Sequence, residues 1–203
     1  MVHFPPPTPI NDWDSDEEDG IADQTPLVID WINMLNVSVA VSSLPGNRFA
    51  GARRSLAADI EALKEAAIQD IFVLCTDDEL RWCKVGTMVE EYRKKGFTVH
   101  HYPMVVEPAV ETCVDVLQDL HSCLQKSRKT LVHCVDGLGR SCLIVALLAL
   151  YINEDLSPFV AIELVRHARG AAAIQTIKQY YCVLEFRKNW ADHVVQQQYQ
   201  MQS

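Results

Sequence analysis

Residues 130–152 read T-L-V-H-C-V-D-G-L-G-R-S-C-L-I-V-A-L-L-A-L-Y-I. The short apolar stretch 130–133 predicts a buried strand, and the apolar run from Arg140 to Ile152 predicts a core helix. Between them stand a cysteine, two glycines and an arginine. A glycine-containing loop between a strand and a helix is a typical anion-binding arrangement. The sequence therefore predicts a strand, a phosphate loop and a helix in direct succession.

The rest of the chain alternates predicted strands with predicted helices. This alternation favours an α/β fold with a mostly parallel central sheet flanked by helices. In such sheets ligands bind beyond the carboxyl ends of the strands, which is where Cys134 lies. The other predicted strands are 27–31, 36–41, 71–75 and 97–102, and the other predicted helices are 55–67, 85–95, 109–126, 157–169 and 176–192.

Composition divides the chain into three parts. Residues 1–26 are rich in proline and then in acid, with few apolar side chains to bury, and we predict a disordered acidic tail. Residues 27–192 form one predicted domain, and residues 193–203 a C-terminal tail. The formal net charge is −9, and residues 1–24 hold seven acidic and no basic residues. Subtracting those seven charges leaves −2 for the remainder.

This nearly neutral remainder narrows the classes of partner. It offers no basic face for nucleic acid, and the apolar run Cys142–Ile152 is shorter than the roughly 20 residues that span a membrane. We expect neither as a partner. The N-terminus has no secretion signal, so we predict a cytoplasmic location, with a perinuclear or nuclear location as the alternative. Separately, we expect a monomer. Because such a compartment is reducing, we expect the seven cysteines of the chain to be free thiols. They form no C-x-x-C pair, so we expect no metal and no cofactor.

The loop has the chemistry of a phosphate site. Backbone N–H groups that curl round an anion supply donors to the non-bridging oxygens of a phosphate monoester. The following helix adds the positive end of its dipole. The two glycines allow the backbone to approach closely. The predicted phosphate-binding residues are Val135, Asp136, Gly137, Leu138, Gly139 and Arg140.

Three side chains carry the predicted reaction. The positive field of the loop favours the thiolate of Cys134, which attacks phosphorus and forms a phosphocysteine. Arg140 holds two phosphate oxygens with its planar guanidinium, which lysine could not reproduce. Ser141 donates a hydrogen bond to the departing thiolate when water hydrolyses the intermediate.

The loop H-C-V-D-G-L-G-R-S (133–141) resembles that of the cysteine-based protein phosphatases, and the dual-specificity branch in particular. Further stretches are similar to the kinase-associated phosphatase family over about residues 14–192, among them I-Q-D-I-F-V-L-C-T (68–76), R-K-T-L-V-H-C (128–134) and A-I-Q-T-I-K-Q-Y (173–180). That family removes phosphate from the activation-segment threonine of cyclin-dependent kinases. The resemblance implies the cysteine-phosphatase fold and a cyclin-dependent kinase as partner.

This chain differs from the family in the loop that carries the general acid. The family has an aspartate in the loop after the H-H-x-P strand end, but here that loop reads P-M-V-V-E-P-A-V-E (103–111), two residues shorter than expected and without aspartate. Glu107 is the nearest carboxylic acid and the first candidate acid. Asp136, where we expect glycine, is the second candidate. As an anion it would instead weaken phosphate binding.

Further candidates lie outside the loop. The resemblance places a glutamine-bearing loop at residues 175–179, so Gln175 is a candidate for orienting the hydrolytic water. Gln179 is interpreted as a contact of the C-terminal helix. Cys75 ends the strand expected beside the loop strand. It is a candidate for a reversible disulfide with Cys134, and a plain buried thiol is the alternative.

Two functions from different classes follow. The first is a dual-specificity phosphatase that acts on phosphothreonine, and on phosphotyrosine, in a cyclin-dependent kinase. The alternative is a catalytically impaired kinase-binding module, which the missing aspartate favours and the intact C-x5-R-S opposes. Phosphoinositide hydrolysis rests only on Asp136 and lacks a basic rim for an anionic membrane. Kinase recognition is expected on the exposed side of residues 175–187.

Overall fold

The computed structural model of the chain describes residues 25–49 and 51–201. In this part of the chain five strands form one sheet: β1 (Asp30–Met34), β2 (Val37–Ser42), β3 (Asp70–Val73), β4 (Thr98–His101) and β5 (Thr130–His133). The strand order is β1-β2-β5-β3-β4. The edge strand β1 pairs antiparallel with β2, and all other pairs are parallel. The predicted mostly parallel sheet is therefore confirmed.

Seven helices cover this sheet within the same described residues. The connections β2–β3 and β4–β5 cross the sheet in opposite directions, so right-handed crossovers put their helices on opposite faces. The helices are α1 (Leu56–Glu65), α2 (Asp77–Trp82), α3 (Met88–Lys94), α4 (Val110–Gln125), α5 (Arg140–Ile152), α6 (Pro158–Arg169) and α7 (Ile177–Met201).

The core lies around the two central strands. All four residues of β3 and all four of β5 are buried, as expected for strands covered on both faces. The helix α5 is buried from Arg140 to Leu150 and contacts β2 and β5. The loop between β5 and α5 is thus held at both ends by buried elements, and it opens at the carboxyl edge of the parallel strands.

Elements next to the loop match the sequence predictions. The strand β5 and the helix α5 have the predicted bounds. The helix α6 begins with the predicted Ser157 cap, whose side chain accepts from the Val160 N–H, and has Pro158 in its first turn. Ser55 caps α1 in the same way. Strong apolar patterns and cap residues explain why these predictions are correct.

Two predictions of element bounds are wrong, and one helix was missed. The first strand is Asp30–Met34 and not 27–31. The short helix α2 was not predicted, because its six residues D-D-E-L-R-W carry no apolar stripe. The last helix does not end near Asp192 but continues to Met201. Glutamine is a good helix former, so its run at 196–198 extends the helix without an apolar pattern.

Only part of the predicted domain division falls within the residues that the structure describes. The acidic tail lies outside them, apart from Thr25 and Pro26. Residues 193–201 of the predicted C-terminal tail are helical. Among the residues that the structure describes, we find no helix with both the length and the apolarity that a membrane span requires.

Candidate active site

The loop after β5 curls round the sulfur of Cys134. The Gly137 N–H donates to the Cys134 Sγ at 3.3 Å, and Cys134 is 3% exposed. Gly137 has φ +69°, and a Cβ there would lie 2.4 Å from the Ser42 carbonyl oxygen. The Leu44 N–H donates to the Val135 carbonyl at 2.9 Å. The Cys134 thiol therefore lies at the floor of a backbone-lined cup, which is built from the loop after β5 and the chain after β2.

The Arg140 guanidinium is fixed by protein groups on one side. Its Nη1 donates to the carbonyls of Leu74 and Met104 at 3.1 and 2.9 Å, and to Glu79 Oε2 at 2.7 Å. Its Nη2 donates to Glu79 Oε1 at 2.6 Å. Among the residues that the structure describes, the Nε–H and the second Nη2 hydrogen have no acceptor, and these two N–H bonds point the same way from the planar guanidinium. Arg140 thus keeps one bidentate edge for an oxyanion.

Glu79 is the functional residue that the sequence analysis missed. It accepts from the Thr76 N–H at 2.8 Å in a capping box of α2 while it pairs with Arg140, and it is 7% exposed. Burial is the largest single influence on the Arg140 pKa and lowers it, but the hydrogen bonds with Glu79 together with the negative charges of Cys134, Glu79 and Cys75 outweigh burial and raise the pKa. The motif T-D-D-E (76–79) was the signal that could have identified both the helix and its glutamate.

The first candidate acid, Glu107, is paired. Its Oε2 lies 3.0 Å from the Lys178 Nζ. Hydrogen bonds from Lys178 and Thr176 lower the Glu107 pKa. A general acid works best with a pKa near the operating pH, so this environment favours the ionised carboxylate instead.

The second candidate, Asp136, lies half-buried in the loop. Its carboxylate is near Cys83. Burial chiefly raises the Cys83 pKa to about 11, and the charges of Glu79 and Asp136 add to this rise. The Asp136 carbonyl faces Arg169 at 3.5 Å. Its role as acid or as an obstacle to anions stays a prediction.

Two glutamines lie beside the loop. A Cβ on Gly139 would meet Gln175 Oε1 at 2.5 Å and Gln179 Nε2 at 3.1 Å. Gln175 is exposed, which suits the predicted contact with water. Gln179 is 1% exposed, accepts from the Gln175 N–H at 2.9 Å and donates to the Val106 carbonyl at 2.6 Å. Gln179 therefore joins the start of α7 to the loop that holds Glu107.

Two polar side chains next to the nucleophile are buried. Within the described residues, the Ser141 Oγ and both ring nitrogens of His133 have no hydrogen-bond partner. The predicted role of the Ser141 hydroxyl toward the departing thiolate stays a prediction. Burial of the His133 ring lowers its pKa to about 3. His133 is a neutral packing residue that meets the Tyr92 ring edge-on at 6.1 Å.

Cys75 is buried just after β3, the strand that pairs with β5 ahead of Cys134. Burial raises its pKa well above the ordinary value, and the negative charge of Cys134 is the next largest cause. The predicted reversible disulfide between Cys75 and Cys134 stays a prediction. In the described chain, all seven cysteines are free thiols.

One cluster at the opposite end of the sheet offers metal-type ligands. Ligand atoms of Asp70, His100 and Cys123 lie within 4.8 Å of one another. Asp70 already pairs with Arg128 and contacts His100 Nε2 at 3.1 Å. An arginine cation on the shared carboxylate disfavours a metal ion there. The cluster is better described as a hydrogen-bonded network joining β3, β4 and α4.

These features define a class of protein. A thiol at the floor of a backbone-lined cup, an arginine with a free bidentate edge and a parallel sheet behind them characterise the cysteine-based protein phosphatases. A solved structure of kinase-associated phosphatase, in which the catalytic-site cysteine is replaced by serine, covers 83% of this chain and 98% of its own, with TM-score 0.79 and 41% identity. A structure described as Tk-PTP in the active form gives TM-score 0.59 and 27% identity over 78% of this chain and 97% of its own.

The sequence comparisons identify the family. A family model described as cyclin-dependent kinase inhibitor 3 matches residues 4–162. Proteins called cyclin-dependent kinase inhibitor 3 from Homo sapiens and Sus scrofa are each 41% identical over 198 residues, which is 93% of this chain and 93% of theirs. The chain belongs to the cyclin-dependent kinase inhibitor 3 family, so the family predicted from the sequence is confirmed.

Proposed function

We propose that this chain is a dual-specificity protein phosphatase that removes phosphate from phosphothreonine, and from phosphotyrosine, on the activation segment of a cyclin-dependent kinase. The observation that carries the proposal is the cup itself. The Cys134 sulfur accepts a backbone N–H at its floor, and Arg140 keeps its Nε/Nη2 edge free beside it. The names of the relatives support the choice of kinase.

The reaction proceeds in two displacements. The Cys134 thiolate attacks phosphorus, the bond from phosphorus to the substrate oxygen breaks, and that oxygen takes a proton from an acid. Water then attacks the phosphocysteine, the phosphorus–sulfur bond breaks, and the thiolate leaves. The Gly137 N–H stabilises the departing sulfur, and the Ser141 hydroxyl, which is buried without another partner, donates a second hydrogen bond to it. Gln175, beside Gly139, orients the water.

The decisive experiment separates binding from turnover. Cys134→Ser is expected to abolish hydrolysis while it retains affinity for a phosphorylated kinase, because the backbone donors remain. Arg140→Lys is expected to lose most activity and affinity, because one ammonium cannot replace the fork. Steady-state kinetics and calorimetric binding measure the two effects. Turnover at the unmodified rate in either variant would contradict the mechanism.

The impaired-binder alternative rests on one observation. Glu107 is the only carboxylic acid in residues 103–110, and its lowered pKa leaves little of the protonated form at neutral pH. An enzyme without an acid would still hydrolyse activated aryl phosphates but leave phosphothreonine nearly untouched. Rates on a phosphorylated kinase and on an aryl phosphate, measured side by side, distinguish the two functions.

Kinase docking is proposed for an exposed apolar patch beside the cup, which comprises Val105, Ile177 and Tyr181. These side chains belong to residues that are 67%, 76% and 54% exposed. The Gln179–Val106 hydrogen bond and the Lys178–Glu107 pair bring the two segments together. Ile177 and Tyr181 lie four residues apart on α7, so they share a face of the helix. The patch would adjoin whatever protein presents its phosphate to Cys134.

Substitution of this patch tests docking. A double variant, Ile177→Ser with Tyr181→Ser, is expected to lower kcat/KM on the phosphorylated kinase and to leave an aryl phosphate unaffected. Val195→Ser is the matched control, because Val195 is also exposed (49%) on α7 but lies several turns away. An equal loss on both substrates would show that the patch supports the active site and not docking.

A further inference from the structure

The back of the phosphate loop poses a hydrogen-bonding problem. If the loop N–H groups face the anion, the carbonyls of the same peptide units face the protein behind it. Buried carbonyls need donors, and without them the loop would relax to another conformation. Gly137 is buried, and its positive φ is a conformation that the surrounding structure must maintain.

Arg169 supplies donors at this place. Its Nε donates to the Gly137 carbonyl at 3.1 Å, and its Nη2 approaches the Asp136 carbonyl at 3.5 Å. Its Nη1 pairs with Asp30 of β1. The Arg169 side chain is only 10% exposed, so these bonds lie in a poorly solvated environment. One guanidinium therefore connects two consecutive loop carbonyls to the edge strand of the sheet.

The chain around Arg169 makes the same kind of contact. Arg169 is the last residue of α6, and the turn that follows brings the Ile174 N–H to the Leu138 carbonyl at 3.0 Å. From the other side, the Cys142 thiol donates to the Gly137 carbonyl at 3.4 Å. The carbonyls of residues 136–138 thus all have donors on the side away from the cup, and Arg169 is the charged donor among them.

We propose that Arg169 is a positioning residue of the phosphatase, and that Asp30 holds it in place. Arg169 touches no substrate. It keeps the carbonyls of residues 136 and 137 turned away from the cup, so that the N–H groups of the same two peptide units, which belong to Gly137 and Leu138, stay turned toward the phosphate. This inference rests on the proposed phosphatase function, because it concerns the same loop.

The test measures binding of tungstate, a phosphate-like oxyanion, by calorimetry in the full chain. Arg169→Met is expected to weaken tungstate binding by about 10- to 100-fold, since small displacements of a preorganised site have effects of this size. The KM for an aryl phosphate is expected to rise more than kcat falls. Arg166→Met is the matched control, because Arg166 lies on the same helix but contacts Ala173 and Glu163 and not the loop.

Two more variants show that the effect is positional. Arg169→Lys retains a charge for Asp30 but not the fork, so it is expected to recover tungstate binding in part. Asp30→Asn is expected to weaken binding in the same direction and to add little in the Arg169→Met background, because both remove one interaction. If Arg169→Met fails to fold, Asp30→Asn still tests the proposal, because this variant retains Arg169.

The outcomes separate the inference from the proposed function. No tungstate binding by the unmodified chain would overturn both. Normal tungstate binding by a folded Arg169→Met variant, beside normal binding by the unmodified chain, would overturn only the positioning role. Fully additive losses in the double variant would show that Asp30 does not act through Arg169.

Discussion

At the scale of single residues, the two edges of the Arg140 guanidinium have different partners. One edge pairs with Glu79, and the other is left for a phosphate. The bidentate pair with Glu79 uses one edge of the guanidinium and balances its charge while no substrate is bound. The other edge stays available for phosphate. The side chains of Arg140 and Glu79 are 6% and 9% exposed, so each charge depends on the other.

Glu79→Gln is therefore expected to be costly. It leaves the Arg140 cation buried without its counter-charge, and loss of one partner from a buried ion pair typically costs about 3–5 kcal/mol. Denaturant unfolding measures this loss, and a raised KM for an aryl phosphate reports the misplaced fork. Asp78→Asn is the control: Asp78 is one residue away but pairs with Arg81 at the surface, where about 1 kcal/mol or less is at stake. Equal effects would contradict a special role for Glu79.

The acid can be identified through its partner. Lys178→Met removes the first cause of the lowered Glu107 pKa, which must then rise. If Glu107 is the acid, more of it is protonated at neutral pH. The fall in phosphothreonine hydrolysis with increasing pH then moves to higher pH, and aryl phosphates hardly change. General acids contribute about 10²–10⁴-fold, so Glu107→Gln should steepen the dependence of rate on leaving-group pKa.

Other results assign the acid differently. If Asp136→Asn steepens that dependence and Glu107→Gln does not, Asp136 is the acid. A steep dependence in the unmodified chain, unchanged in both variants, would support the impaired kinase-binding module.

Residue spacing predicted some of the site and not the rest. Cys134, Arg140 and the loop glycines are adjacent in the chain, so their chemistry could be read from the sequence. Glu79 and Arg169 reach the loop from 61 and 32 residues away, respectively, and only the folded sheet brings them there. The capping-box motif T-D-D-E could have indicated Glu79, but nothing in the sequence distinguished Arg169 from the other arginines.

At the scale of elements, the loop conformation depends on glycine at one position. Gly137→Ala would combine a positive φ with a Cβ 2.4 Å from the Ser42 carbonyl oxygen. We expect loss of tungstate binding and a stability loss above the roughly 1–3 kcal/mol of backbone strain alone. Gly96→Ala isolates that strain, because Gly96 has φ +92° and nothing within 4 Å of an added Cβ. Similar losses at both positions would argue against the clash.

The helices also show where the apolar pattern of the sequence fails to predict secondary structure. The helices α5 and α6 have apolar runs, a cap and a proline, and their bounds were predicted correctly. The helix α2 consists of six residues and depends on its capping box rather than on burial of a stripe. The helix α7 extends past its apolar part, where propensity alone continues it.

At the scale of the whole molecule, stability should respond to mild acid through His133. Burial lowers its pKa to about 3, while the unfolded chain has the ordinary value near 6.5. Between these values the unfolded state binds the extra proton, so stability is complete above about pH 6.5 and falls as the pH decreases toward 3. One such group contributes at most about 1.4 kcal/mol per pH unit.

Unfolding experiments across this range provide the measurement. His133→Gln is expected to lose stability at neutral pH but to flatten its decrease between pH 6.5 and 3. His167→Gln is the control, since His167 is exposed on α6. A decrease as steep in His133→Gln as in the unmodified chain would assign the acid sensitivity to other groups.

The pair between Asp30 and Arg169 joins positions 139 residues apart. A ribosome adds residues in order, so the nucleophile at 134 is made well before the arginine at 169 that supports its loop. Long-range contacts of this kind also form late in folding, because closing a long stretch of chain is entropically costly. A nascent or partly folded chain would therefore contain the thiol and the glycines without an assembled phosphate site. Phosphatase activity should appear only in the last step of folding, and it reports completion of the whole domain.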